Sequence, residues 1–235
     1  MQERLGADGR TWIHAVSVGE GMIAVKLAGK LRELEPALRV ALTTTTTTGF
    51  AIALKDSPDW MEVLYTPLDF WPVMRRAFSI IHPQRVILVE AEVWPNLAAE
   101  AHRRSLPLAL VNARLSPRSE RRFGKFRFVI APMFRMLDLV CVPEPEDAPR
   151  WEALGVDSSR IEVVGSIKFD QPRASPDPEG PRAVLARCGI APARPIFFAG
   201  STLARQASHC AATFRGLPPE VPDLCLHLLV TPPSA

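Results

Sequence analysis

This sequence of 235 residues lacks several features that define common classes of protein. Its four cysteines, Cys141, Cys188, Cys210 and Cys225, have neither Cys-x-x-Cys spacing nor clustered histidines, so they predict neither a zinc site nor a disulfide framework. No stretch approaches the ~18 apolar residues that cross a bilayer. The first ten residues also lack the apolar core of a signal peptide. We therefore expect a reducing compartment and a chain that is soluble or peripheral to a membrane.

Several catalytic and nucleotide-binding motifs are also missing. The chain contains no G-x-S-x-G, Walker or dinucleotide glycine fingerprint, which argues against a hydrolase of that type, a nucleoside triphosphatase and an NAD enzyme. Its five histidines form no metal-binding spacing, and we expect no metal and no cofactor. A net charge of +3 is too small to predict nucleic-acid binding. The composition, 47% hydrophobic and 23% charged, is typical of a globular protein.

Short apolar runs alternate with longer segments of helical period, which predicts βαβ units and a parallel sheet covered on both faces. Ile23, Leu27, Leu31 and Leu34 form the stripe of the first predicted helix, which Pro36 ends. The predicted strands are 11–16, 38–44, 61–65, 85–90, 106–112, 137–142 and 161–164.

The domain organisation is predicted from a change in composition after residue 170. Residues 1–170 form a first Rossmann-like domain, and the proline-rich stretch 171–194 is a linker that encloses at most one short helix. Residues 195–235 contain a strand at 195–200, a helix at 202–215 and a strand at 224–230. Two strands and a helix cannot close a core alone, so we interpret them as the start of an incomplete second Rossmann-like domain.

Ligands of parallel sheets bind at the carboxyl ends of the strands, so the loops that follow the strands hold the candidate site residues. The first such loop is Ser17-Val-Gly-Glu20. Its glycine allows close backbone approach, its helix start favours anions, and Glu20 could act as a general base on a sugar hydroxyl. The helix macrodipole alone also favours a glutamate in a first turn.

A run of six threonines, 43–48, is followed by Gly49 where a strand should end and a helix begin. Its hydroxyls and N–H groups suit phosphate or sugar oxygens. Alternatively, β-branched residues finish the strand and one threonine caps the helix, which explains about half of the run.

Two further loops carry charged residues. Glu90 and Glu92 follow an apolar strand, and in an extended chain both carboxylates would face one cleft; alternatively, one of them binds backbone amides of the next helix. In the second loop Ser116 and Pro117 are suited to an N-cap and the first helical position. Arg114 opens a basic segment, 114–127, whose interleaved phenylalanines suit an anionic lipid surface. A solvated helix face with its phenylalanines in the core fits the same composition. His14 is predicted to be a core histidine.

Taken together and in order, these loops resemble the 3-deoxy-D-manno-octulosonic acid (Kdo) transferases of lipopolysaccharide synthesis. The resemblance covers roughly residues 11 to 200, and this many motifs in one order is far more specific than a fold analogy. The matching motifs are WIHAVSVGE at 12–20, TTTTTTG at 43–49, PLDFWP at 67–72, EAEVWPN at 90–96, NARLS at 112–116, EDAPRWEALGV at 146–156 and VVGSIKFD at 163–170.

The resemblance implies an α/β protein of GT-B architecture that transfers Kdo from CMP-Kdo to a lipid A precursor with inversion and without a bound metal. It implies that Glu20 is the general base, and that Lys168, Ser201 and Thr202 lie on the donor side. It also implies a peripheral position on the cytoplasmic face of the inner membrane, against its anionic surface. The acceptor-binding residues that it implies are Ser17, Gly19, Thr46, Thr48, Gly49, Glu90, Glu92, Trp94, Asn96, Asn112, Arg114 and Ser116.

The sequence also departs from the family pattern. The family's amino-terminal hydrophobic anchor is absent, Ala199-Gly-Ser-Thr202 is not followed by the family's histidine and acidic pair, and the later donor-binding motifs are missing. We therefore expect a fragment with impaired activity, a reading-frame error or a decayed gene. The alternatives are a non-catalytic glycolipid-binding protein and another GT-B transferase of lipid A synthesis.

Overall fold

A computed structural model describes residues 9–90, 93–167, 179–187, 189–191, 194–202, 204–216 and 224–230 of the chain. The chain divides into two units, residues 1–171 and 172–235. Much of the predicted linker, 171–194, lies outside the described residues, so the predicted domain limits stay predictions.

The first unit contains a sheet of seven strands in which every neighbouring pair is parallel. The strand order is β3-β2-β1-β4-β5-β6-β7, so β1 lies between β2 and β4. The strands are β1 Arg10–His14, β2 Val40–Thr44, β3 Met61–Tyr65, β4 Pro83–Val89, β5 Leu108–Val111, β6 Leu139–Val142 and β7 Ile161–Val163.

Helices cover both faces of this sheet. The helices of the first unit are α1 Val18–Leu34, α2 Thr47–Asp56, α3 Trp71–Ile81, α4 Pro95–Arg103, α5 Pro117–Lys125, α6 Arg127–Phe134 and α7 Ala148–Leu154. One apolar cluster joins the sheet to α1 and α2, and a second joins it to α3, α4, α6 and α7. Neighbouring residues of β1 enter different clusters, because Trp12 belongs to the second and Ile13 to the first. A strand covered on both faces is apolar throughout, as the sequence of β1 predicts.

The predicted seven strands and the parallel α/β class are confirmed, while several limits differ. β5 begins at Leu108 rather than at residue 106, after Pro107, and Asn112 leaves the strand with φ 50°. The predicted stripe of α1 is wrong at its end, because Leu34 is 80% exposed. Ala24 and Ala28 are buried instead, since small side chains let α1 approach the sheet closely.

The second unit contains helix α8, Glu179–Arg187, followed by strand β8, helix α9 and strand β9. β8 and β9 pair in parallel around α9, as the predicted strand–helix–strand order requires. β8 spans Ile196–Thr202, α9 spans Ala204–Arg215 and β9 spans Cys225–Val230. The predicted strand 195–200 therefore began one residue too early and ended two residues too early. Within the described ranges, no helix is both long enough and apolar enough to cross a bilayer.

Candidate functional site

The predicted acceptor residues that the structure describes follow β1, β2, β4 and β5, either in the loops at the carboxyl ends of these strands or in the first turns of the next helices. These four strands are consecutive in the sheet, and neighbouring strands lie ~4.8 Å apart. The first two loops also meet directly, since a Cβ built on Gly49 would lie 3.7 Å from the carbonyl carbon of Ser17. Residues far apart in the sequence therefore share one edge of the sheet.

Glu20 lies in the first turn of α1, and both of its carboxylate oxygens accept hydrogen bonds. Oε2 accepts from the Val16 N–H at 2.7 Å, and Oε1 accepts from the Ser17 hydroxyl at 2.8 Å. The Ser17 Oγ in turn accepts from the Glu20 N–H, so Ser17 is the N-cap of the helix. This reciprocal arrangement resembles a capping box, and it orients the carboxylate with 6% of the residue exposed. Gly19 beside it is exposed.

The threonine run divides between the strand and the helix, as the simpler interpretation predicts. Thr43 and Thr44 are buried in β2, and Thr46 is the N-cap of α2. The Thr46 Oγ1 accepts from the Gly49 N–H at 3.0 Å. A Cβ at Gly49 would lie 2.7 Å from that oxygen and 2.8 Å from the Thr44 Oγ1, so these hydroxyls would have to move to accommodate a larger residue. Thr48 is exposed in the first turn of α2.

His14, at the end of β1, is a core histidine, as predicted. Its Nδ1 lies 3.0 Å from the Thr43 Oγ1, which also accepts from the Trp12 Nε1–H at 2.9 Å. Its ring packs edge-on against Trp94 at 4.8 Å between ring centroids. The buried Nε2 has no hydrogen-bond partner among the residues that the structure describes. Burial lowers the pKa of His14 from 6.5 to about 4, because a charged imidazole would be desolvated here.

Glu90 and Asn112 follow neighbouring strands, and both have left-handed backbone conformations, with φ 61° and 50°. The Asn112 Nδ2 donates to the Glu90 Oε1 at 3.4 Å, and the Ser166 Oγ donates to the Asn112 Oδ1 at 3.3 Å. Such conformations cost about 1–3 kcal/mol in residues other than glycine and concentrate at functional sites. The chain therefore does not stay extended at Glu90, which removes the premise that Glu90 and Glu92 face one cleft. Glu92 lies outside the described residues.

A pocket of about 620 Å³ opens where β4, β5 and β6 end. Glu90, Arg114 and Ser116, all predicted site residues, line it. Sequence reasoning missed the pocket residues from the loop after β6, although that loop also follows a predicted strand and contains one of the family motifs. The missed residues are Glu144, Glu146, Asp147 and Arg150. Ser166, after β7, was missed in the same way.

The charges of this pocket are mostly acidic and partly paired. The Arg150 Nη1 donates to the Asp147 Oδ1 at 3.0 Å, and its Nε lies 3.7 Å from the Glu120 Oε2. Arg114 is exposed at the rim. Ser116 is the N-cap of α5, where its Oγ accepts from the Ser119 N–H at 3.0 Å, as predicted. Carboxylates, guanidinium groups and hydroxyls together can both donate to and accept from sugar hydroxyls.

Asn96 is held by another loop. Its side-chain amide donates to the Asp69 carbonyl at 2.8 Å, while the Asp69 carboxylate accepts from the backbone N–H groups of Asn96 and Leu97 at 3.1 and 2.9 Å. Asp69 therefore caps α4. Asn96 therefore helps to join this loop to α4, and the role of Asn96 in acceptor binding stays a prediction.

The basic segment corresponds to α5 and the start of α6. One of its phenylalanines lies in the core, and two are exposed as a lipid-facing surface requires. Phe123 packs against Phe134 with ring centroids 5.6 Å apart, which is a core contact. Phe126 and Phe128 are 57% and 95% exposed beside exposed basic residues. The exposed basic residues are Arg118, Arg121, Arg122, Lys125 and Arg127.

The structure describes only two of the three predicted donor-side residues. Lys168 lies outside the described residues. Ser201 and Thr202 end β8 in the second unit, and Thr202 is buried. In the described part of the chain, no group of three His, Cys, Asp or Glu side chains is arranged to hold a metal ion.

The sheet order, the helices on both faces and the strand–helix–strand second unit define a Rossmann-like α/β protein of the GT-B fold. The structure matches the crystal structure of UDP-GlcNAc 2-epimerase from Neisseria meningitidis bound to UDP-GlcNAc, with a TM-score of 0.67. The match covers 96% of this chain and 72% of the epimerase chain. The two sequences are 9% identical, so this likeness concerns the fold alone.

Sequence comparison identifies the family. A family model described as 3-deoxy-D-manno-octulosonic-acid transferase (kdotransferase) matches residues 1–171. The chain is 33% identical over 159 residues to the 3-deoxy-D-manno-octulosonic acid transferase of Haemophilus influenzae, and 37% identical over 166 residues to that of Bordetella pertussis. Each alignment covers 68% of this chain and 37% of the relative, so the chain spans little more than a third of their length. The chain belongs to the Kdo transferase family.

Proposed function

We propose that this chain binds a lipid A precursor and supplies the general base for the transfer of Kdo from CMP-Kdo, a step of lipopolysaccharide core synthesis. Two findings that concern the same unit support the proposal. The residues that match the family are those of the first unit, and one sheet edge of that unit collects Glu20, Glu90, Asn112 and Arg114.

The proposed chemistry is a single displacement with inversion. Glu20 takes the proton of the acceptor hydroxyl, the hydroxyl oxygen bonds to the anomeric carbon of Kdo, and CMP leaves with the electrons of the broken bond. The hydrogen bonds from the Val16 N–H and the Ser17 hydroxyl support this role, because they hold the carboxylate in one orientation. The scheme includes no metal, so side-chain cations and backbone N–H groups would stabilise the negative charge that leaves on the CMP phosphate.

The pocket beside Arg114 is the proposed site of the acceptor's sugar phosphate headgroup. Arg114 supplies an exposed cation for phosphate, and the hydroxyls of Ser116 and Ser119 donate to or accept from sugar oxygens. Glu144 and Glu146 accept hydrogen bonds from sugar hydroxyls. Ser17, Gly19, Thr46, Thr48, Gly49, Trp94, Asn96 and Asn112 complete the proposed acceptor site with Glu92.

The exposed basic and aromatic face of α5 and α6 is the proposed contact with the membrane. Phe126 and Phe128 would enter the interface while Arg121, Arg122 and Lys125 meet anionic headgroups, each worth ~1 kcal/mol near such a surface. The proposed location is the cytoplasmic face of the inner membrane, with CMP-Kdo as the donor. Lys168, Ser201 and Thr202 are the proposed donor-side residues.

The proposal is tested by transfer of labelled Kdo from CMP-Kdo to a tetra-acylated lipid A precursor. The assay uses this chain and a version extended through the genomic reading frame, each as wild type, Glu20→Gln and Glu33→Gln. Glu33 is the matched control, because it lies exposed on the same helix and pairs only at the surface with Lys30. We expect Glu20→Gln to lower transfer by ~10²–10⁴-fold and Glu33→Gln to leave it unchanged.

Other outcomes would replace the proposal. Equal transfer by wild type and Glu20→Gln would remove Glu20 as the base. Saturable lipid binding without transfer in any version would favour a non-catalytic glycolipid-binding protein. Transfer from a different sugar nucleotide would favour another GT-B transferase of lipid A synthesis.

A further inference from the structure

A second cavity, of about 280 Å³, lies at the carboxyl ends of β2 and β3 and differs from the first in chemistry. Its walls are apolar side chains and carry no charge. They include Phe50, Leu64, Tyr65, Pro67, Ala77 and Ile81.

The polar groups near this cavity are already engaged or lie at its edge. Thr43 also lines the cavity, but its hydroxyl is committed to Trp12 and His14 at 2.9 and 3.0 Å. Tyr65 stacks on Phe50 with ring centroids 4.3 Å apart and presents a flat apolar wall. An apolar cavity excludes water and accepts an apolar ligand. Its volume is below the ~300–1,000 Å³ of sites for larger ligands, so it suits a narrow hydrocarbon chain.

The chain that continues from Pro67 forms an exposed apolar rim. Leu68, Phe70 and Trp71 are 76%, 62% and 54% exposed, in a segment where soluble proteins rarely cluster large apolar side chains. The Arg75 guanidinium lies over the Trp71 ring at 5.0 Å. A cation beside an apolar rim is complementary to an amphiphile that carries an anionic head.

The order of the strands places this cavity on one side of Glu20 and the polar pocket on the other. The cavity lies at β3 and β2, Glu20 follows β1, and the polar pocket lies at β4, β5 and β6. With strands ~4.8 Å apart, the cavity begins about one strand from β1. The sheet edge is therefore itself amphipathic, with its apolar end and its polar end on either side of the carboxylate.

We propose that the cavity between α3 and the ends of β2 and β3 holds one acyl chain of the lipid acceptor, so that the chain positions the acceptor's sugar beside Glu20. The identity of that acceptor rests on the function proposed above. The binding of a hydrocarbon chain rests only on the cavity and its rim.

The cavity is tested with monomeric alkyl phosphates of six to fourteen carbons, titrated into the whole chain by calorimetry. We expect affinity to rise about fourfold for each added methylene and to level off once the cavity is filled. Ala77→Leu, which fills the cavity, should weaken binding at least tenfold. Ala99→Leu is the matched control, because Ala99 is exposed on a neighbouring helix, and it should have no effect.

A second variant and a second ligand keep the outcomes distinct. Tyr65→Asn replaces the aromatic ring with a neutral polar amide at a half-exposed wall position, so it should weaken alkyl binding tenfold even if Ala77→Leu fails to fold. Affinity that is independent of chain length, or unchanged in both variants, overturns the acyl site. A deacylated diphosphoryl glucosamine disaccharide tests the polar headgroup separately. If it does not bind while alkyl phosphates bind as expected, the proposed acceptor is wrong and the apolar site stands.

Discussion

Protonation of His14 is expected to destabilise the first unit as the pH falls below neutrality. The imidazole is fully buried at the end of the central strand, its Nδ1 lies 3.0 Å from the Thr43 hydroxyl, and its Nε2 has no partner among the described residues. A second proton would place an uncompensated charge beside the Trp94 ring. The neutral form is therefore the one that this site accepts.

The sign and size of the effect follow from linkage. The folded-state pKa of His14 is about 4 and its unfolded value is 6.5, so the unfolded state binds more protons between these values. Stability that is present above pH 6.5 is lost as the pH falls toward 4. At 1.36 kcal/mol for each pKa unit, the full loss is about 3 kcal/mol, of which about 2 kcal/mol falls between pH 7.5 and pH 5.

Urea unfolding followed by tryptophan fluorescence measures this loss. All five tryptophans lie within residues 1–171, so the signal reports the first unit. We compare wild type with His14→Phe, which keeps a ring against Trp94 and cannot be protonated, and with His102→Gln, an exposed control. The free energy of unfolding of wild type and of His102→Gln should fall by about 2 kcal/mol more than that of His14→Phe. Equal pH dependence in all three proteins would refute the argument.

Two further predictions concern the loops of the site. Gly49→Ala should destabilise the first unit by about 1–2 kcal/mol in urea unfolding. The reason is that its Cβ would lie 2.7 Å from the Thr46 Oγ1 and would push this capping hydroxyl away. Gly29→Ala, a helical position with no atom within 4 Å, should be neutral or stabilising by up to ~1 kcal/mol, and equal effects would contradict the clash. Asp69→Asn should cost about 1–2 kcal/mol in thermal unfolding through the lost cap of α4. Asp59→Asn, at an exposed position, is its control, and the prediction fails if both cost the same.

The candidate site was predictable from the sequence where a residue's environment is local. Ser116 and Thr46 cap the helices that follow them, because a capping side chain bonds to N–H groups two or three residues away. Burial of His14 was predictable from its position inside an apolar strand. The two caps bond to neighbours in the chain, and the burial of His14 follows from its apolar strand.

Contacts that join distant segments were not predictable in this way. Glu90 was expected to continue the strand, but it leaves it in a left-handed conformation next to the amide of Asn112. The contact of the Asn96 amide with Asp69, 27 residues earlier, was also not predicted. Such conformations and contacts depend on which loops meet, and local propensity carries no information about that.

The sequence by itself determined the alternation of strands and helices, the parallel class of the sheet, the loops in which polar residues collect and the family motifs they form. These properties follow from apolar periodicity, turn chemistry and short-range order along the chain. Only the tertiary structure decided that β1 lies between β2 and β4. That order separates an apolar cavity from a polar pocket on either side of Glu20. Strand order depends on hydrogen bonds and packing between residues tens of positions apart, so it emerges only when the whole core forms.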